Sequence, residues 1–174
     1  TLLLGNQNEP ASLDPHLIDA ATDMNIAVAL FEGLTAYDEK TGAPVPGVAE
    51  RWDLSPDGLV YTFHLRADAR WSNGDAVTAH DFVFAYRRIL SPSLGAEYRD
   101  QFFCLQNAEA FASGKLADFS TVGVRAVDNP VVVREAPHSL RADAEGVAAI
   151  GEQDRACIHD VHDGRRRAHA VVAG

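Results

Sequence analysis

The chain has 174 residues, 47% of them apolar and 23% charged, with a formal net charge of −10 and a pI near 5.0. That length suits one ordinary domain or two small lobes, and the composition supports a packed core and excludes global disorder. The negative field repels phosphate backbones, so no nucleic-acid partner is expected; the one dense basic run is Arg165, Arg166 and Arg167.

No apolar run approaches the ~18–20 residues of a membrane span. The opening Thr1, Leu2, Leu3 and Leu4 are too short for a signal peptide and lack a basic start, so no signal peptide is read in this chain. Two cysteines, Cys104 and Cys157, are too few to read as a disulfide framework.

In chain order, residues 1–6 read as a short strand, and Ser12, Leu13, Asp14 and Pro15 as a turn in which Asp14 supplies an Asx-type bond. Met24, Val28, Phe31 and Leu34 fall at helical spacing and predict a helix over 23–34, with Gly33 as its C-cap. A turn is expected at 38–42, then a Pro/Gly-punctuated stretch at 43–47. The clearest hairpin follows. Ser55, Pro56, Asp57 and Gly58 suit a type I turn, and Leu59, Tyr61, Phe63 and Leu65 alternate with Val60, Thr62 and His64, so one face is buried.

A second turn is expected at 71–75. Thr78 then caps a helix, with Asp81 in the capping-box position. Phe82, Val83, Tyr86, Ile89 and Leu90 form its apolar stripe, Arg87 and Arg88 fall outside it, and Ser91 and Pro92 stop it. A further helix is expected over 97–113, ending at Gly114. A hairpin joins 121–127 to 130–134, with Pro130 demoting the return strand to an edge. From residue 138 to 174 there is no Phe, Tyr, Trp or Met and no sustained period. That segment is expected to be a disordered tail or residues out of the native frame, which divides the chain at 1–137 and 138–174.

Few residues suggest chemistry. His80 and Asp81 are adjacent on a helix, so they do not face each other and cannot form a relay; Asp81 is expected to cap and His80 to be exposed. His64 and Arg66 are expected on a solvated or lobe-contacting face of the hairpin; Trp71 could stack on a ligand, but an aromatic beside a strand end is more often core. Phe84 lies opposite the apolar stripe, where either a second element covers it or it faces a cleft, the first being the commoner arrangement. Cys157, His159 and His162 have soft and imidazole ligands at a spacing that could hold zinc, but with no core around them. No phosphate loop, nucleophile elbow, HExxH or CxxC pair occurs. The residue chemistry favours binding over catalysis.

Four stretches stand in order: GNQNEPASLDPH (5–16), ALFEGLTAYD (29–38), PVPGVAERWDLSPDGLVYTFHLRADARWSNGDAVTAHDFVFAYRRIL (44–90) and VGVRAVDN (122–129). Together they resemble the N-terminal portion of the extracellular, or periplasmic, solute-binding proteins of oligopeptide and dipeptide ABC importers (family 5), over about residues 1–136. The resemblance implies an α/β (α+β) fold, a periplasmic-binding-protein-like lobe with a mixed sheet, hairpins and helices, incomplete relative to the two-lobed family fold.

It also implies a non-enzymatic function without cofactor: capture of a short peptide or similar small solute, handed to an ABC permease at the membrane. The protein would be a periplasmic or extracellular monomer, free or lipid-anchored. The ligand backbone would pair with the segment after the first strand, Asn8, Glu9, Pro10 and Ala11, by β-augmentation. Glu9 would offer a carboxylate to a ligand amine. Pro10 has no N–H, so it can only accept. A chain lacking the opposing wall is expected to bind peptides poorly. Two alternatives stand beside this: a small zinc-dependent hydrolase using Cys157, His159, His162 and Asp160 or Asp163, and a non-functional remnant.

Overall fold

The computed structural model describes residues 8–38, 40–128 and 131–135. The expected strand at 1–6 and the segment 138–174 lie outside the described residues. Helix α1 spans Ala21–Leu30, and two short strands, β1 (Thr35–Tyr37) and β2 (Pro44–Pro46), pair antiparallel around the 38–42 turn. Asp38 accepts from the Lys40 and Thr41 amides there, and Gly42 takes the positive φ the turn needs, 70°. The Pro/Gly-punctuated 43–47 stretch is largely strand. Pro44 and Pro46 stand two residues apart, so their missing N–H groups fall on one side of β2 and a ladder survives on the other.

The hairpin forms as expected from β3 (Ala49–Leu54) and β4 (Val60–Leu65). Gly58 donates to the Ser55 carbonyl and holds φ at 73°. Leu59, Phe63 and Leu65 are buried, as the alternation requires. Two more strands, β5 (Val124–Ala126) and β6 (Val131–Glu135), complete a four-stranded sheet in the order β3-β4-β6-β5. All pairings among the described residues are antiparallel, so the parallel partner of a mixed sheet does not occur among them. The return strand is not an edge: β6 sits between β4 and β5.

Helix α2 (Ala79–Ile89) begins at Thr78 with the expected capping box. The Thr78 amide donates to Asp81 Oδ2 at 2.7 Å. Replacing Thr78 by alanine should cost about 1 kcal/mol, read as a lower urea midpoint at unchanged slope. Phe82, Tyr86, Ile89 and Leu90 are buried and form the core with Phe63, Leu65 and Val124. Tyr86 meets Phe102 edge-on, with centroids 5.6 Å apart.

Two expectations change. The pattern over 97–113 is not one helix but a 3-10 segment (Glu97–Phe102) and a short α3 (Ala108–Ala112). Asn107 breaks it with φ at 60°, and its side-chain amide donates to the Thr121 carbonyl at 2.8 Å. Gly114 does end the segment, at φ 75°. In α1 the buried residues are Asp23 and Ala27, while Val28 is 46% exposed. The expected stripe is thus not the buried face. The helix closes at an extended Phe31. Gly33 is no cap; its carbonyl accepts the Val48 amide at 2.9 Å.

Candidate functional site

The segment that follows the N-terminus is held at two points. At the first, Asp23 accepts from the Ala11 amide (Oδ1) and the Ser12 amide (Oδ2), both at 3.3 Å, and from the Thr22 hydroxyl. Asp23 is only 1% exposed. A buried carboxylate is tolerated only with such partners. Its position in the first turn of α1 also sets it near the positive end of the helix dipole.

At the second point the segment meets α2. Asp14 makes the expected Asx turn, accepting from the His16 amide at 3.1 Å, and its own amide donates to Ser12 Oγ. Its carboxylate also receives Arg88 in a two-pronged pair: Nη1 donates to Oδ1 at 2.8 Å and Nη2 to Oδ2. The same Nη1 lies 2.7 Å from His16 Nδ1. Arginine only donates, so His16 Nδ1 accepts and the neutral ring carries its proton on Nε2. The Arg88 guanidinium, more than any other group, holds the Asp14 carboxyl below its usual range, with the His16 amide adding to it. Burial first, then the Arg88 charge, pushes the His16 imidazole down, against the pull of Asp14. The pairing with Asp14 raises Arg88.

Around this trio lies an open cavity of about 320 Å³. Leu13, Phe31, Trp71 and Phe84 give it an apolar wall. Phe84 takes the less common of its two expected placements: no second element covers it, it is 64% exposed, and it lines this cleft. Trp71 is half-buried, packed on the core at one side and lining the cavity at the other.

The four residues expected to contact ligand sit at the start of the described chain. Asn8, Glu9 and Ala11 are exposed and Pro10 is half-buried. The Ala11 amide belongs to Asp23 and Pro10 has none, so neither position offers an N–H to a strand laid along this stretch. His80 is exposed and Asp81 caps α2, as expected. His64 Nε2 lies 2.7 Å from Asp53 Oδ2 on the outer face of the hairpin. Arg66 pairs with Glu32. No group of three or more metal-ligating side chains occurs among the described residues, and Cys157, His159 and His162 lie outside them. The residues that sequence reasoning missed are Asp23 and the pair His16–Arg88. The sequence marks Asp14 only as a turn residue.

The helix-and-strand arrangement, with an exposed N-terminal segment pinned beside a cleft, is that of part of a periplasmic binding protein lobe. Residues 43–155 match the model of the bacterial extracellular solute-binding proteins, family 5, middle region, and the chain belongs to that family. It is 47% identical over 116 residues to the periplasmic oligopeptide-binding protein OppA of Haemophilus influenzae, an overlap of 66% of this chain and 21% of that protein. It is 40% identical over 114 residues to the dipeptide-binding protein DppE of Bacillus subtilis, covering 66% and 21%. The crystal structure of the Haemophilus protein in complex with the peptide RPPGFSPFR superposes with a TM-score of 0.71 at 42% identity, over 78% of this chain and 27% of that one. The chain thus spans between a fifth and a quarter of the length of these curated relatives. They are described as binding proteins, and none of these as a hydrolase. No helix among the described residues is long and apolar enough to cross a membrane.

Proposed function

We propose that this chain forms one wall of the peptide-capture cleft of an ABC importer's solute-binding protein, with Asn8, Glu9, Pro10 and Ala11 as the edge an extended peptide pairs with. The observation that carries the reading is the exposed 8–11 segment, fixed from behind by Asp23, in a chain 47% identical to an oligopeptide-binding protein. A pinned edge has already lost the conformational freedom that binding would otherwise cost. Glu9 gives it a carboxylate for a ligand amine or basic side chain. Main-chain pairing recognises any extended peptide, whatever its side chains. The partners of such a protein are the peptide and a membrane permease, and its place is the periplasm or the cell exterior, as a monomer. No group in this reading transforms the ligand.

One wall buries less of a ligand than the 70–90% a closed pocket reaches, so the chain alone should bind short peptides more weakly than micromolar. Calorimetry with a pool of tri- to pentapeptides reads the affinity, and micromolar binding would overturn the one-wall reading. Amide shift mapping at millimolar peptide reads the site. Perturbation centred on 8–11 is expected, and saturable perturbation elsewhere, with none at 8–11, would remove the assignment.

A further inference from the structure

We infer that Asp14, His16 and Arg88 form a proton-operated latch that fixes the 8–16 segment to α2 at neutral pH and loosens it in mild acid. The inference rests on the proposed peptide edge for its functional consequence but not for its test. Geometry carries it. Arg88 Nη1 has two protons, and the structure directs it at both Asp14 Oδ1, 2.8 Å away, and His16 Nδ1, 2.7 Å away. The second contact exists only while Nδ1 is bare. A proton there sets donor against donor and cation against cation within hydrogen-bonding distance.

The ring has little room to escape. His16 is 6% exposed, and its own amide is tied to the Asp14 carboxylate that Arg88 grips. The charged groups facing it are Asp14 on its own loop and Arg88 on α2; Asp81 lines the same cavity, but its Oδ2 is occupied by Thr78. The other lining residues, Leu13, Pro15, Phe31, Trp71, Phe84 and Ala85, carry no charge. Asp14 alone favours the imidazolium, and its two oxygens are already paired with Arg88.

The direction of the pH effect follows. A histidine depressed in the fold below its free value of about 6.5 stabilises fully above that value, and its contribution is lost as pH falls. Asp14, also depressed, stays ionised through this range and loses its contribution only below the ordinary carboxylate value. Where the ring takes its proton above the pH at which Asp14 takes its own, the Asp14–Arg88 pair persists through the step. In that range the segment is held by Asp23 and one ion pair, and the edge that it presents is looser.

Hydrogen exchange without peptide tests this, so failure of the peptide reading and failure of the latch are separate results. Amides of residues 11–17 should lose protection about tenfold between pH 7.5 and about 4.5, after correction for intrinsic rates, as expected for one lost hydrogen bond to a charged group. The β3–β4 hairpin should keep its protection. His16→Gln, whose side-chain oxygen can accept from Arg88 without titrating, should abolish the acid step. Unchanged protection at low pH, equal loss in the hairpin, or an acid step retained in H16Q would each overturn the latch. Should H16Q fail to fold, nitrogen NMR of the wild-type ring decides. An Nε2–H tautomer whose titration midpoint coincides with the exchange step supports the latch, and an Nδ1–H tautomer or a separate midpoint overturns it.

Discussion

Replacing Asp23 by alanine is expected to destabilise the chain by about 3 kcal/mol, the cost of leaving the amides it serves without an acceptor, each bond to a charged group being worth about 1.5–3. The carboxylate is 1% exposed and joins α1 to two amides eleven and twelve residues upstream. Water cannot replace it without opening the helix from the loop. Urea unfolding reads the loss as a lower midpoint at unchanged slope, and hydrogen exchange should place it first at Ala11 and Ser12. Asp23→Asn keeps one acceptor oxygen and should cost roughly half as much, since one of the two amides keeps its partner. A cost under about 0.5 kcal/mol for the alanine variant, the range of an ordinary surface change, would show that Asp23 does not anchor the segment.

Gly47→Ala carries the next largest effect, about 2–3 kcal/mol, the usual range for overpacking. A Cβ at this position would stand 2.6 Å from the Gly33 carbonyl oxygen and 3.1 Å from that of Leu34. Neither neighbour is a side chain that could swing away. Both carbonyls are pinned, accepting from the Val48 and Ala49 amides at 2.9 Å. The methyl therefore has to part the two backbones at the junction between β2 and β3. A thermal melt of G47A matching the parent would mean that the junction yields freely. Gly47 has no positive φ in its favour; it is required by closeness alone.

Features written into neighbouring residues were legible in the sequence, and features that need distant partners were not. Pro56 and Gly58 mark the hairpin, and Thr78 with Asp81 marks the start of α2, because turn and cap chemistry acts over three or four residues. The family was legible for the same reason, since its motifs are such local runs. The same local rule misplaced α1. Its apolar spacing pointed at Val28, whereas the buried position went to a carboxylate whose partners lie in the preceding loop. Asn107 carried no sign of the left-handed turn that splits the 97–113 pattern, apart from its tolerance for that conformation. Arg88 was placed off the apolar stripe of α2, which is correct, but the pattern could not show that its partners sit 72 and 74 residues earlier. Of the candidate site, the outer edge at 8–11 was named from the sequence, while the two anchors behind it were not.

The order of strands in the sheet also governs how the lobe comes together. β4 is joined to β3 by a five-residue connection, residues 55–59, and can pair with it as soon as both are made. Its other side waits for β6, the last of the four in the chain, which must slot between β4 and the already completed β5. Pairings across such long separations form slowly, and an unfilled strand edge invites other chains to bind it. A nascent polypeptide halted before β6 therefore leaves the facing sides of β4 and β5 both unpaired, and synthesis through Glu135 closes that gap inside the sheet.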